Sequence, residues 1–232
     1  MMIIKGFQKT SLIDFPGNIS AIVFLARCNF RCPFCYNRDL VLDSPSLPEI
    51  PQEEILRELA RRKKYLDGVV LTGGEPLLNE DVLPFMKKIK EMGYLVKLDT
   101  NGSNPALLAR VLKEKLADYV AMDVKSSPGK YEKAAGVKIN IEDIKKSARL
   151  VMESGIDYEF RTTVVPGLVD AGDVEKIGKW LKGARAYYLQ QFRPMTTLDP
   201  ECAKVKPYAR EKLLEFRRLA EKYFKKVEVR NV

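Results

Sequence analysis

ISAIVFLARCNFRCPFCYN, residues 19–37, begins with an almost unbroken apolar run and ends in a loop that holds three cysteines. A short apolar run bounded by polar residues is typical of a buried strand. Cys28, Cys32 and Cys35 follow directly after that run. This stretch therefore predicts a strand that delivers three thiols to a single loop.

The rest of the chain repeats the alternation of short apolar runs with longer amphipathic segments. Further strands are predicted at residues 68–74, 94–102, 118–125, 156–165 and 186–192, with helices at 53–65, 81–93, 105–116, 141–155 and 174–183. Six strands separated by helices require parallel crossovers, so we expect an α/β fold. A complete eightfold barrel takes about 250 residues. The 232 residues of this chain therefore indicate a partial barrel or an open doubly wound sheet.

The predicted domain organisation is a single domain over residues 1–232. Residues 1–18 form an N-terminal extension in this prediction, 19–200 the core, and 201–232 a C-terminal helix and an edge strand. The start MMIIKGFQKT lacks the pattern of a secretory signal, and no apolar run is long enough to span a membrane. We therefore expect a cytoplasmic protein with no membrane partner.

The net charge of +9 comes from 40 Lys and Arg residues against 31 Asp and Glu residues. The basic residues are spread over predicted helices, and aromatic residues do not interleave with them. This pattern favours solvated helix faces over a nucleic-acid surface. Nucleic acid is therefore not expected as a partner.

Polar side chains stand at the carboxyl end of each predicted core strand. Parallel α/β folds place their ligands at that rim of the sheet. Six such positions at the same rim of the sheet indicate a ligand site more strongly than any single turn residue would. The residues are Cys28, Thr72 to Glu75, Asp99 to Gly102, Asp123 with Lys125, Arg161 with Thr163, and Gln191 to Arg193.

The three clustered cysteines are candidate metal ligands. A structural zinc site usually takes four Cys or His ligands, and this chain has no histidine, so zinc would have to recruit Cys202. An iron–sulfur cube held by three thiolates would keep one iron open for a substrate or cofactor. The residues thus leave three alternatives for the cysteine loop. It could form a zinc site that includes Cys202, hold an iron–sulfur cluster with one open iron, or contain small buried cysteines that bind no metal. Of these, the open cluster best explains why a fourth ligand is lacking.

The spacing CNFRCPFC resembles the cluster-binding loop of the radical S-adenosylmethionine (SAM) superfamily. In that family the loop follows the first strand of a partial (β/α)6 TIM barrel, and SAM binds the unique iron of a [4Fe–4S] cluster. LTGGEP resembles the family's element that receives the SAM amino group. The resemblance implies Cys28, Cys32 and Cys35 as iron ligands, and Gly73, Gly74 and Glu75 as SAM contacts.

The segments CYNRD, KLDTNG, AMDVK and RTTVVPG are similar, in order and spacing, to the activases of glycyl-radical enzymes. This similarity implies a monovalent cation near Asp99 and Asp123, which would relieve the repulsion between two carboxylates. It also implies further SAM-binding residues, which are Phe34, Asn37, Asp99, Thr100, Asn101, Asp123, Lys125, Arg161, Thr163 and Arg193. The last of these stands where several activases have a histidine, so its role is open.

Two features resemble one subgroup, the activating proteins of anaerobic ribonucleoside-triphosphate reductase. They are Tyr36, where pyruvate formate-lyase activases usually have histidine, and the N-terminal GFQKTSLIDFPG. The resemblance implies an enzyme that cleaves SAM reductively to a 5'-deoxyadenosyl radical and takes a hydrogen from a glycine of that reductase. No side chain is expected to act as a general base, and flavodoxin or ferredoxin is the expected electron donor. The alternatives are another glycyl-radical enzyme such as pyruvate formate-lyase, a small-molecule substrate, and a metal-stabilised nucleic-acid-binding protein.

Overall fold

The structure is a computed structural model that describes residues 2–231. Within that range the chain forms eight strands and eight α-helices. The strands are β1 Ile4–Ser11, β2 Ser20–Leu25, β3 Gly68–Gly73, β4 Leu95–Thr100, β5 Tyr119–Asp123, β6 Asp157–Val164, β7 Ala186–Gln191 and β8 Lys226–Arg230. The helices are α1 Arg38–Val41, α2 Gln52–Arg62, α3 Val82–Glu91, α4 Pro105–Lys113, α5 Tyr131–Ala135, α6 Ile141–Glu153, α7 Ala171–Trp180 and α8 Arg210–Ala220.

The strands are hydrogen-bonded in the order in which they occur along the chain, from β1 to β8. β1 runs antiparallel to β2, whereas the β2–β3, β3–β4, β6–β7 and β7–β8 pairs are parallel. Parallel strands need crossover connections, and the helices between successive strands supply them. The alternation confirms the predicted α/β fold class.

The chain divides into two compact units. The first contains the chain up to Asn29, Asp39–Thr100 and Asn104–Val120, and the second contains Phe30–Arg38, Asn101–Ser103 and the chain from Ala121 onward. The first unit therefore holds β1 to β4, and the second holds β6 to β8. The division of the chain into residues 1–18, 19–200 and 201–232 stays a prediction.

Local sequence signals explain where several helices begin. At the start of α4, the side chain of Asn104 accepts a hydrogen bond from the Leu107 N–H, and Pro105 occupies the first turn. At the start of α7, Asp170 and Asp173 form a reciprocal capping box. β2 is buried along nearly its whole length, as expected of a strand with parallel neighbours.

The first unit contains an apolar cluster on one face of its strands. Phe15, Ile22 and Val70 are its buried members, and the partly buried Phe24 and Tyr119 pack against them. Burial of this much aromatic and aliphatic surface stabilises the unit because each such side chain contributes roughly 1.5–3 kcal/mol.

The structure adds a strand at the N-terminus that the sequence analysis did not predict. Ile4–Ser11, within the predicted extension 1–18, forms β1. This strand carries no long apolar run because much of it is exposed, so apolar periodicity does not reveal it. The predicted edge strand at 226–232 is β8, which ends at Arg230, and Val232 lies outside the described residues.

The short helices α1 and α5 were also missed by the sequence prediction. None of the helices within residues 2–231 has the length and apolar character that crossing a membrane requires.

Candidate functional site

The cysteine loop is held in a defined conformation by backbone hydrogen bonds. Cys35 donates its N–H to the carbonyl of Cys32 at 3.0 Å, which closes a turn between the two thiols. In the same unit, Arg31 donates its N–H to the carbonyl of Ala135 at 2.8 Å. The aromatic residues of the loop, Phe30 and the predicted SAM contact Phe34, are buried. Cys28 belongs to the first unit and is partly exposed.

The thiols of Cys32 and Cys35 resist ionisation because they are buried. Burial raises the pKa of Cys32 to about 11, although the positive charge of Lys125 opposes that rise. Burial also raises the pKa of Cys35, again opposed by Lys125. A thiolate in such surroundings needs a further positive charge, which bound iron provides.

The donor set fits an iron–sulfur cluster. Within residues 2–231, no group of three His, Cys, Asp or Glu side chains is arranged to hold a single metal ion. In a cluster each thiolate binds its own iron, so the sulfurs stand further apart than around a single zinc ion. Cys202 is buried in the turn Pro200–Lys204 and free, and burial raises the pKa of its thiol.

Gly73 and Gly74 bring β3 against the segment that leads into Cys28. A Cβ at Gly73 would lie 2.4 Å from the carbonyl oxygen of Leu25, and one at Gly74 would lie 1.8 Å from that of Arg27. Gly73 also has a φ of +117°, which side chains disfavour. The Gly74 N–H donates to the Leu25 carbonyl at 2.8 Å, and the Glu75 N–H donates to the Arg27 carbonyl at 2.9 Å. The glycines thus serve backbone-to-backbone packing at the start of the cysteine loop.

Glu75 is a buried carboxylate with fixed partners in its own unit. Its Oε1 accepts hydrogen bonds from the N–H of Leu77 at 2.9 Å and from the hydroxyl of Thr100 at 2.7 Å. Thr100 is a predicted SAM contact at the end of β4, so the structure joins it to the predicted amino-group acceptor. These two bonds orient the carboxylate before any ligand binds.

Asp99, also at the end of β4, is largely buried and paired. Its Oδ2 accepts a hydrogen bond from Thr72 at 3.3 Å, and its Oδ1 contacts the ammonium of Lys97. Sequence reasoning missed Lys97, although a lysine inside an apolar strand two residues before a predicted site residue is a signal. Asn101, in the second unit, is buried and accepts a hydrogen bond from the N–H of Ser103 at 2.9 Å.

The second unit brings three predicted residues into one charged cluster. Arg161 donates through Nε to Asp123 Oδ1 at 2.8 Å, and Lys125 donates to Asp123 Oδ2 at 2.9 Å. Burial alone would raise the pKa of the Asp123 carboxyl, but Arg161 and Lys125 hold that pKa far below its usual value. Lys125 and Arg161 thus place two cationic groups at one point, and groups of this kind bind carboxylates through charge-assisted hydrogen bonds.

The loop after β5 is anchored by residues that sequence reasoning did not select. The Ser127 hydroxyl donates to the buried Asp173 carboxylate at 2.6 Å, and Lys130 forms ion pairs with Asp170 and Asp173. Helix capping signals at Asp170 and Asp173 were visible in the sequence, but their partners lie about 40 residues away. This network fixes the segment that follows Lys125.

The remaining predicted contacts are less enclosed. Thr163 is partly buried and lies opposite Gln190 in the β6–β7 register. Asn37 is also partly buried, and Arg193 is exposed, with its guanidinium 3.4 Å from the carbonyl oxygen of Asn231. The structure does not place Arg193 in the Asp123 cluster; its backbone N–H instead donates to the hydroxyl of Tyr36.

Comparison with known proteins adds independent information. The chain matches the Radical SAM superfamily over residues 22–181. It is 35% identical to a protein of Methanocaldococcus jannaschii named as a glycyl-radical enzyme activating enzyme, with 99% of this chain and 96% of that protein covered. It is 26% identical to the pyruvate formate-lyase 1-activating enzyme of Escherichia coli K12, with 77% of this chain and 74% of the relative covered.

Among solved structures, the fold is similar to that of SuiB from Streptococcus suis, determined with S-adenosylmethionine bound. The TM-score is 0.66 at 16% identity, with 88% of this chain and 48% of SuiB covered. This likeness supports the predicted partial barrel of the radical SAM type. Radical SAM enzymes use a [4Fe–4S] cluster and SAM, in agreement with the cofactors predicted from the cysteine loop. The chain is therefore an enzyme of the radical SAM superfamily and belongs to its group of glycyl-radical enzyme activating enzymes.

Proposed function

We propose that this enzyme activates anaerobic ribonucleoside-triphosphate reductase by abstracting a hydrogen atom from a glycine of that protein. The activase part of the proposal is supported by the relationship to activating enzymes over 99% of the chain. The choice of reductase depends on two sequence features, which are Tyr36 after Cys35 and the N-terminal segment GFQKTSLIDFPG. Pyruvate formate-lyase is the competing substrate, because the Escherichia coli relative activates it.

Cys28, Cys32 and Cys35 would bind three irons of the cluster and leave the fourth for SAM. When bound, the cluster supplies the electron that cleaves SAM, and the resulting 5'-deoxyadenosyl radical takes the hydrogen atom from glycine. Phe30 and Phe34 are buried in the same loop and would limit the access of water to the thiolates.

The chain's own residues would bind and orient SAM. The prearranged carboxylate of Glu75, with Gly73 and Gly74 beside it, would accept the SAM ammonium. Lys125 and Arg161 form the cationic part of the Asp123 cluster and would receive the SAM carboxylate. Asn37, Asp99, Thr100, Asn101, Thr163 and Arg193 complete the proposed SAM-binding set.

The proposed partners are the glycine-bearing protein and an external electron donor. Radical SAM chemistry needs one electron for each SAM molecule cleaved, and a small electron-transfer protein such as flavodoxin or ferredoxin would supply it. The basic surface implied by the net charge of +9 suits an acidic donor of this kind.

The first test is anaerobic reconstitution with iron and sulfide, followed by reduction with dithionite and addition of SAM. We expect 5'-deoxyadenosine to form, and the Cys32→Ala variant to form none. An intact, reduced cluster that leaves SAM uncleaved would disprove the enzymatic proposal.

The second test compares two protein substrates in parallel. Anaerobic ribonucleoside-triphosphate reductase and pyruvate formate-lyase from the same source organism are each incubated with the reconstituted enzyme and SAM. We expect a glycyl-radical EPR signal from the reductase alone. A glycyl-radical signal from pyruvate formate-lyase alone would identify the lyase as the substrate. It would contradict the assignment of the reductase.

A further inference from the structure

Gly136, the residue after α5, packs against the backbone of the cysteine loop. A Cβ at Gly136 would lie 2.0 Å from the carbonyl oxygen of Arg31 and 2.6 Å from its carbonyl carbon. Gly136 also has a φ of +70°, which glycine adopts at little cost. Only glycine fits this position, and the residue that it contacts is the one directly before Cys32. Arg31, Cys32 and Gly136 belong to the same compact unit.

The end of α5 also holds the second backbone group of Arg31. The Arg31 N–H donates to the carbonyl of Ala135 at 2.8 Å, and the Gly136 N–H closes the helix by donating to the carbonyl of Glu132 at 2.8 Å. Both the N–H and the carbonyl of Arg31 therefore contact the last residues of this helix. Because each residue has only two soft backbone torsions, these contacts restrict the direction in which the chain continues to Cys32.

α5 is itself anchored within the same unit. Tyr131, its first residue, is fully buried, and its ring lies edge-on to Trp180 of α7 with centroids 6.4 Å apart. Lys130, directly before α5, pairs with Asp170 at 2.6 Å and with Asp173 at 2.7 Å. A helix of five residues is not stable alone, so these contacts are what keep α5 in place. α5 therefore provides a fixed support for the cysteine loop.

The proposed function gives α5 no role of its own. Its sequence, YEKAA, contains no cysteine and none of the predicted SAM contacts. Residues that orient metal ligands without touching the metal nevertheless change metal affinity by about 10- to 100-fold when they are replaced. A loop that is already ordered also loses less conformational entropy when its thiolates bind iron.

We propose that α5 and Gly136 hold the cysteine loop in the conformation that binds the cluster. Gly136 is then a positioning residue that acts on Cys32 through Arg31. This inference rests on the proposed function, in which Cys32 is an iron ligand. Its consequence is that a side chain at position 136 displaces an iron ligand although the protein still folds.

The test uses the reconstituted holoenzyme and follows the absorption of the cluster after addition of a ferrous chelator. In Gly136→Ala the methyl group pushes Arg31 away from α5, so we expect the cluster to be lost about tenfold faster than in the wild type. The EPR spectrum of the reduced cluster should also change, because its Cys32 ligand is displaced. Neither measurement needs SAM or a protein substrate.

Gly155→Ala is the matched control. Gly155 follows α6 in the same unit and has a φ of +78°, but a Cβ there would meet nothing within 4 Å. Both variants therefore introduce similar backbone strain, and only Gly136→Ala adds a contact with Arg31. Gly155→Ala should keep the wild-type rate of cluster loss and the wild-type EPR spectrum. A purely structural role of Gly136 would speed cluster loss through unfolding but leave the spectrum of the folded protein unchanged.

The outcomes separate this inference from the proposed function. A wild-type EPR spectrum in Gly136→Ala, or equally fast cluster loss in both alanine variants, would overturn the role of Gly136. A wild type that assembles no cluster, or a Cys32→Ala variant that keeps all its iron, would instead contradict the proposed function.

Hydrogen exchange of the wild-type holoenzyme decides the question if Gly136→Ala does not fold. The Arg31 amide should exchange as slowly as the Gly136 amide, because both donate to carbonyls of α5. Exchange of the Arg31 amide at the rate of an unstructured chain would overturn the proposal.

Discussion

The hydroxyl of Tyr36 accepts a hydrogen bond from the backbone N–H of Arg193 at 2.6 Å. The Tyr36 ring also stacks on Phe192, with ring centroids 6.5 Å apart and planes 13° from parallel. The two residues of the hydrogen bond are 157 positions apart in the chain. The structure thus joins the residue after the third cysteine to the segment that follows β7.

A second backbone bond ties the same segment to the cysteine loop. The N–H of Asp199 donates to the carbonyl of Pro33 at 3.0 Å. Residues 193–199 are therefore attached to the loop at both ends. Movement of residues 193–199 would therefore displace the loop that carries Cys32 and Cys35.

Removing the Tyr36 hydroxyl should loosen residues 193–199. Tyr36→Phe leaves the Arg193 N–H without its acceptor, at a cost of about 1 kcal/mol, and the amide should exchange its hydrogen faster. Urea unfolding and hydrogen exchange measure the two effects. Tyr65→Phe is the control, because Tyr65 is 70% exposed and should change neither quantity. Unchanged exchange at Arg193 in Tyr36→Phe would contradict the anchoring role.

Adding a methyl group at Gly74 should displace the cysteine loop. In Gly74→Ala the new Cβ would meet the Arg27 carbonyl oxygen at 1.8 Å, so backbone has to move, at a cost of roughly 3 kcal/mol. Thermal unfolding and iron content after reconstitution should both fall. Gly129→Ala is the matched control, since a Cβ there would meet nothing within 4 Å. If the two variants were equally stable, β3 would lie further from Arg27 in solution than the structure places it. The prediction would then be wrong.

Alanine variants of Cys32 and Cys202 should differ in their iron content. Cys32→Ala removes a proposed ligand, so we expect loss of the cluster's absorption and of 5'-deoxyadenosine formation. Cys202→Ala shortens a buried side chain outside the loop and should keep the full iron content while losing about 1 kcal/mol of stability. Iron and sulfide assays check both. Loss of iron in Cys202→Ala would make Cys202 a ligand and favour a closed metal site.

Asp123→Asn should destabilise the protein at neutral pH more than at low pH. Although burial opposes it, the pairing with Arg161 and Lys125 lowers the pKa of the Asp123 carboxyl below its unfolded value. The stability from that charge is complete above about pH 4 and is lost as pH falls towards the folded pKa. We expect a gap in unfolding free energy of about 2 kcal/mol at pH 7, given the partial exposure of the site. The gap should narrow below about pH 4.

Denaturant titrations of the wild type and of Asp123→Asn across that pH range measure the gap. Asp157→Asn is a suitable control, because Asp157 pairs with Arg185 at a carboxylate that is 76% exposed. Exposed pairs contribute little, so this control should show a small gap at every pH. A gap for Asp123→Asn that stays constant with pH would contradict the assigned charge state.

Much of the fold could be predicted because its signals are local. The apolar runs of β2 and β3 and the amphipathic pattern of the intervening helix follow from side-chain periodicity, which needs no knowledge of distant contacts. β1 escaped prediction because it is mostly partly exposed and pairs with only one neighbour. Gly73 and Gly74 were selected from the sequence as SAM contacts, which stays a prediction, and the structure adds that they pack against the backbone of Leu25 and Arg27.

The sequence by itself determined which functional groups the protein has. They are three thiols at fixed spacing and polar residues at the ends of six strands. Those features are set by neighbours along the chain. Only the tertiary structure decided the pairings, such as Lys97 with its in-register neighbour Val70, Arg161 with Asp123, and Tyr36 with Arg193. The reason is physical: which charges are desolvated, and which opposite charges meet them, depends on strand register and loop packing between residues far apart in the chain.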